Sequence, residues 1–259
     1  MDTALLAAQL YTIRQHTQTR DDFARSMSKI REIGYRAVQV SAIGAISDAD
    51  VKQIADDNGL RICNTHIPFD RLQSDLGAVI TQHQLWDCRH IAIGSMPAAF
   101  RASAEGYRRF AALGSQIGER LAADGMTFSY HNHSFEFVKF AGRAGLEILF
   151  DESDPRYLQA ELDTYWVQHG GADPVAWIDR LAGRMPVAHL KDMVMLPGEA
   201  GEQAQPAMAE VGAGNMNFPA ILAACRRAGV EWYAVEQDIC QRDPFASLAM
   251  SFENLAAMD

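Results

Sequence analysis

The stretch TFSYHNHSFEF, residues 127–137, decides how the chain is read. It opens as a short apolar run and closes on side chains that bind metals or move protons. Three later segments share this build: QAELDTYW (159–166), VAHLKDM (187–193) and YAVEQD (233–238). Four more short apolar runs come earlier: LLAAQLY (5–11), AVQVSA (37–42), RICNTHI (61–67) and HIAIGS (90–95). Nearly continuous apolar character over so few residues is expected of parallel strands covered on both faces.

Helical patterns lie between most of these runs. In DDFARSMSKIREIG, Phe23, Met27, Ile30 and Ile33 fall on one face, and Gly34 supplies a stop. SDADVKQIADDNG opens on an N-cap serine, Ser47, with an acidic first turn, and ends on Gly59. GYRRFAALGSQIGERLAADG and NFPAILAACRRAG repeat the amphipathic pattern. Strand followed by helix, eight times over, predicts a closed (β/α)₈ barrel in a single domain spanning residues 1–259. Neither G-x-G-x-x-G after the first strand nor a P-loop motif is present, so an open nucleotide-binding sheet lacks its signature. The Gly/Pro/Gln-rich segment Leu196–Pro206 follows the seventh strand and is expected to be a mobile loop over the site.

Composition narrows the class. The chain has 259 residues, 48% hydrophobic, with a formal charge of −10. That balance opposes a nucleic-acid binder, which needs a basic face. Four cysteines without C-x-x-C spacing (Cys63, Cys88, Cys225 and Cys240) read as buried free thiols, which suits a reducing, cytoplasmic setting. No apolar run approaches the roughly 20 residues of a membrane span. The start, MDTALLAAQLYTIR, lacks the basic and apolar regions of a signal peptide.

Polar ligands at strand exit ends are the layout of a barrel active site. His131, Asp163, His189 and Glu236 hold equivalent positions on strands five to eight. Two imidazoles and two carboxylates suit one Mn²⁺, Co²⁺ or Zn²⁺, with Fe²⁺ or Mg²⁺ as further candidates, better than Ca²⁺. His133 is expected to hydrogen-bond substrate. Glu136 could be a catalytic carboxylate or could cap the following turn. Lys191, two residues beyond His189, could neutralise an oxyanion or pair with Asp163, Asp192 or Glu236. Gln9, Gln39 and His66 offer hydroxyl recognition from earlier strands, and Trp166 offers a wall for a sugar ring. The glycines of EVGAGNMNF (210–218) precede a helix whose N–H groups could bind an anion, although a plain tight loop is the simpler reading.

Together the pieces QLYTIR, GYRAVQVSAIG, THIPF, YHNHSFEF, ELDTYWVQHGG with DPVAWI, HLKDM, EVGAGNMNF and GVEWYAVEQD resemble the xylose isomerase-like barrel superfamily, in its sugar phosphate isomerase/epimerase branch. The resemblance covers almost the whole chain in the family's order. It implies a metal-dependent barrel enzyme whose relatives include ketose epimerases, aldose–ketose isomerases, inosose dehydratases and dehydroshikimate dehydratases, some relatives acting on 3-keto-glycosides. Many epimerases of the family bind metal through Glu, Asp, His and Glu, and the two glutamates also handle protons. Carried onto this chain, that set falls on His131, Asp163, His189 and Glu236. The departure is His131 in place of the first glutamate, which removes one of the two bases; Glu136 or Lys191 would have to substitute. Gln39 also stands where some relatives carry a carboxylate.

The leading expectation is an isomerase or epimerase of a sugar, sugar phosphate or polyol, with Glu236, Glu136 and Lys191 as the catalytic groups. The alternative is a lyase on a keto-sugar, keto-glycoside or inosose, which shares the first, enolising step. A non-catalytic carbohydrate-binding barrel would be expected to lose its metal ligands, and an abasic-site endonuclease to carry a basic groove. The expected partner is a small carbohydrate, with a homo-oligomer as an option and neither nucleic acid nor membrane.

Overall fold

The eight apolar runs become eight parallel strands that close into a barrel. The computed structural model describes residues 1–198 and 202–258. Its strands are β1 (Leu6–Gln9), β2 (Ala37–Val40), β3 (Arg61–His66), β4 (His90–Ile93), β5 (Thr127–His131), β6 (Leu158–Asp163), β7 (Val187–Leu190) and β8 (Trp232–Val235). Each pairs with the next, and β8 returns to β1, where Ala7 lies between Ala234 and Ala37. Small side chains fill this end of the barrel: Ala7, Ala37 and Cys63 pack together against Trp232. The β2–β3 register slips between Val38 and Gln39, which sets Gln39 opposite Asn64.

Helices cover the outside. α1 (Arg20–Ile33) buries Phe23, Met27 and Ile30, and its expected fourth contact, Ile33, is half-buried near the helix end. α2 (Asp48–Asp57) starts where Ser47 accepts the Asp50 N–H. α3 (Phe69–Ser74) and α4 (Leu76–Trp86) follow β3. α5 (Ala104–Ala122) turns Tyr107, Phe110, Ala111, Ile117 and Leu121 inward. Each large apolar side chain so buried stabilises the fold by roughly 1.5–3 kcal/mol before entropy is counted. α6 (Gly145–Glu152), α7 (Thr164–His169), α8 (Pro174–Arg180), α9 (Phe218–Ala228) and α10 (Pro244–Ala256) complete the shell.

The ends of the Leu196–Pro206 segment belong to an antiparallel pair, Asp192–Leu196 with Gln205–Ala209, while residues 199–201 lie outside the described residues. All four cysteines are free, but Cys240 is half-buried rather than buried. No described helix is long and apolar enough to cross a membrane.

Candidate metal centre and substrate cavity

Strand ends bring four side chains together. His131 and Asp163 are the last residues of β5 and β6, His189 lies on β7, and Glu236 follows β8 directly. His131 Nε2 is 3.2 Å from Asp163 Oδ2 and 3.9 Å from Glu236 Oε2. His189 Nδ1 is 3.0 Å from Glu236 Oε2 and 4.0 Å from Asp163 Oδ2. One ligand atom from each of the four lies within 4.8 Å of the others, and all four residues are buried.

A further ring of contacts aims these groups. His131 Nδ1 donates to the Gly94 carbonyl at 3.1 Å, which leaves Nε2 facing the cluster. His189 directs Nε2 to Gln39 Oε1 at 2.8 Å, which leaves Nδ1 facing the cluster. Such outer partners fix the tautomer of a ligating imidazole. Asp163 divides its oxygens: Oδ1 accepts the Trp166 N–H at 2.9 Å and caps α7, while Oδ2 meets His131. Gly94 has to be glycine, because a Cβ there would sit 2.8 Å from His66 Nδ1.

Beneath this cluster lies a carboxylate that sequence reasoning passed over. Glu161 is two residues before Asp163, so it points to the same side of β6, one layer deeper. It is fully buried. Its oxygens take His66 Nε2 at 2.6 Å, Gln39 Nε2 at 2.9 Å, His189 Nε2 at 3.1 Å and a short bond from Asn64 Nδ2. Burial alone would raise its pKa, but His189 and His66 hold it below the ordinary carboxylate range. The alternation that led to Asp163 was the available signal for Glu161. His66, Glu161 and His189 also form a second cluster with metal-binding side chains. There, however, Gln39 and Asn64 already donate to Glu161 Oε1.

Lys191 is the cation of the site. Fully buried, its Nζ lies 3.1 Å from Asp163 Oδ2, 2.9 Å from Glu236 Oε2 and 3.0 Å from Asp238 Oδ2. Two of the three expected partners, Asp163 and Glu236, are therefore right, and Asp238 replaces Asp192. Burial opposes its charge, but these acids hold its pKa above the ordinary lysine value. Burial also opposes charge on His189, yet Glu161 and Glu236 lift it to about 10. Lys191 and His189 thus stand against Glu161, Asp163, Glu236 and Asp238, an excess of acidic groups that favours a bound cation.

Several expected site residues have other partners. The structure does not bring Glu136 to the cluster. Its side chain is fully buried, accepting the Tyr130 hydroxyl at 2.6 Å and the His133 N–H at 2.9 and 3.0 Å, so it pins the turn after β5. Gln9 accepts the Tyr11 N–H at 2.8 Å and faces His66 Nδ1 at 3.3 Å. Gln9 and Gln39 are both fully buried and serve His66, His189 and Glu161 rather than the cavity surface. The N–H groups of Gly212, Gly214 and Met216 all donate to Asp192, at 2.9, 3.1 and 3.2 Å. An internal carboxylate occupies the glycine-rich nest, and a Cβ on Gly214 would lie 2.4 Å from Asp192 Oδ1.

The cluster opens on a cavity of about 670 Å³ lined in part by His66, His131, His133, Trp166, Glu236 and Asp238. His133 Nδ1 and Trp166 Nε1 are buried polar atoms with no hydrogen-bond partner. A buried polar atom without a partner costs about 1–3 kcal/mol, so both atoms are suited to a ligand hydroxyl. Burial and the neighbouring His131 push His133 down to about 3, so its ring is neutral. Burial likewise lowers His66, which keeps Nε2–H for Glu161.

Comparison with known proteins agrees with this architecture. A family model described as xylose isomerase-like TIM barrel matches residues 27–244. The chain belongs to that family. A sugar phosphate isomerase/epimerase from Parabacteroides distasonis superimposes with a TM-score of 0.81 at 22% identity, covering 99% of this chain and 95% of that one. An L-ribulose 3-epimerase gives 0.68 at 16% identity, covering 97% and 93%. A probable 3-DHS dehydratase, AsbF, from Bacillus anthracis gives 0.68 at 14%, covering 98% and 99%. At these identities the likeness is one of fold. No curated protein matches the sequence.

Within this family frame the donor set fits a divalent cation on its own chemistry. Its ligand atoms are two imidazole nitrogens and two carboxylate oxygens, aimed by outer partners and set among an excess of acidic groups. Divalent Mn, Co or Zn accepts such a mixed set.

Proposed function

We propose that this protein is a divalent-metal-dependent isomerase or epimerase acting on a small sugar or polyol through an enediolate. The reading is carried by one observation: the His131–Asp163–His189–Glu236 cluster has its ligand atoms within 4.8 Å of one another, and two of its members, His131 and Glu236, line the barrel-mouth cavity. A bound divalent ion would polarise a substrate carbonyl and make the adjacent carbon more acidic. Glu236 reaches the cavity and is the carboxylate suited to carry a proton between neighbouring carbons. Lys191, held against Glu236 and Asp163, offsets negative charge that develops beside them. His133 and Trp166 offer unpartnered polar atoms to substrate hydroxyls.

Two features favour isomerisation over epimerisation. His131 stands in the ligand set where a second carboxylate base would be needed, and Glu136 is committed to its turn. One carboxylate can move a proton between adjacent carbons on a single face. Epimerisation needs a second donor on the opposite face.

A lyase is the second reading: it shares the enolising step, and a probable 3-DHS dehydratase has the same fold.

The test is solvent exchange. Mn²⁺-reconstituted protein is incubated in D₂O with ketoses, their phosphates and inososes, and NMR follows deuterium at carbon and any product. Exchange that disappears in Glu236→Gln supports the reading. No exchange and no product across the panel would remove it.

A further inference from the structure

The oxygens suited to hold a cation are the oxygens that Lys191 touches. Its Nζ lies 3.1 Å from Asp163 Oδ2 and 2.9 Å from Glu236 Oε2. Those two atoms also face His131 Nε2 at 3.2 Å and His189 Nδ1 at 3.0 Å. Asp163 has no second oxygen to offer, because Oδ1 accepts the Trp166 N–H and caps α7. A divalent ion and the ammonium therefore contend for Asp163 Oδ2. Both are cations, and the residues around them are buried, so their repulsion is screened little.

The backbone of Lys191 is held fast, while its side chain has a further partner. Thr164 Oγ1 accepts the Lys191 N–H at 3.1 Å and donates to its carbonyl at 2.9 Å. Asp238 is the third carboxylate on the ammonium, with Oδ2 at 3.0 Å, and it stands outside the four-residue ligand cluster. Its carbonyl accepts Arg14 Nη1 at 3.2 Å, which ties the loop after β8 to the segment after β1. The centroid of the Trp166 ring is 5.6 Å from Nζ. Asp238 and Trp166 both line the cavity.

We infer that Lys191 is a built-in cation which a divalent ion displaces, and that Asp238 is the residue which receives it. The inference deepens the metal-dependent reading above and rests on it. Without metal, the ammonium neutralises Asp163 and Glu236. With metal, its principal pairing passes to Asp238, at the cavity wall and still beside Glu236. An ammonium is then at hand for substrate oxygens once the ion is bound. Asp238 is a positioning residue in this scheme: it sets metal affinity through Lys191 and is not itself a ligand.

Calorimetric titration of Mn²⁺ into the chelator-treated full-length protein tests this without any substrate. Lys191→Met should bind Mn²⁺ at least roughly tenfold tighter than the parent, since it lacks the competing cation. Asp238→Asn should bind it roughly tenfold more weakly, because the displaced ammonium loses its acceptor. In a Lys191→Met background the Asp238→Asn change should cost at most about two- to threefold, as no ammonium is left to receive. If Asp238 acted on the ion directly, by charge, it would weaken binding equally in both backgrounds, and that result would overturn its assigned role. Equal or weaker Mn²⁺ binding by Lys191→Met would overturn the displacement itself. Should Lys191→Met not fold without metal, thermal melts at saturating Mn²⁺ decide. A melting temperature near the parent's supports displacement, because the pairs with Asp163 and Glu236 are then already broken; a deficit of many degrees overturns it. Failure of Mn²⁺ to bind the parent would remove this inference together with the metal-dependent reading. The expected affinity pattern without solvent exchange in any sugar would remove the isomerase reading and leave the displacement standing.

Discussion

Glu161→Gln probes the layer on which the site rests. The carboxylate accepts from His66 at 2.6 Å, Gln39 at 2.9 Å and His189 at 3.1 Å, together with Asn64, and all of it is out of solvent. An ionised carboxylate has about four lone-pair positions and no hydrogen to place. The glutamine amide keeps one acceptor oxygen and turns an NH₂ group toward donors that need an acceptor. Hydrogen bonds to charged groups are worth about 1.5–3 kcal/mol each, and breaking a buried ion pair costs about 3–5 kcal/mol. The expected loss of stability is therefore about 3–5 kcal/mol, read as a lower urea midpoint at unchanged m-value. His189 also loses part of what aims its Nδ1 at the cluster, so Mn²⁺ affinity by calorimetry should fall about 10–100-fold. A filler of the barrel interior would change stability and leave metal affinity alone. Stability within about 0.5 kcal/mol of the parent, with unchanged Mn²⁺ affinity, would refute the argument.

Two further outcomes follow from the same geometry. Burial lifts Glu136 to about 7, although Tyr130 and the His133 N–H favour its charged form. The folded state thus holds the proton more tightly than the unfolded chain, so this contribution to stability is greatest below about pH 4.5 and declines as pH rises toward 7, by on the order of 3 kcal/mol. Glu136→Gln should abolish that decline, exceed the parent in stability at pH 8 and keep its metal content by atomic emission; an unchanged pH slope would contradict the assignment. Lys191→Met should cost the metal-free protein about 3–5 kcal/mol, since three carboxylates lose their shared cation. Saturating Mn²⁺ should recover part of that loss by mass action, as read from thermal melts; a metal-free variant as stable as the parent would show the ion pairs to be worth little.

Much of this protein is written locally in its sequence. Apolar runs of strand length, Ser47 as a helix cap and the face of α1 each depend on a few neighbouring residues, and the barrel followed from their order. Strand-end position alone selected His131, Asp163, His189 and Glu236, because period-two alternation and a common exit end bring such residues to one mouth. Partner choice was another matter. Glu136 and Glu161 are both acids beside strand ends, yet one folds back on Tyr130 and the other anchors His66 and His189. Gln9 and Gln39 looked free to meet substrate until barrel closure and the β2–β3 register slip surrounded them with His66, His189 and Glu161. The glycine-rich loop looked like an anion site until Asp192, some twenty residues earlier, filled it. These outcomes rest on contacts between residues far apart in the chain, set by ring closure and register. A hydrogen bond satisfied across the barrel leaves no periodic trace in the sequence, so only the tertiary structure could decide which polar groups remained for a ligand.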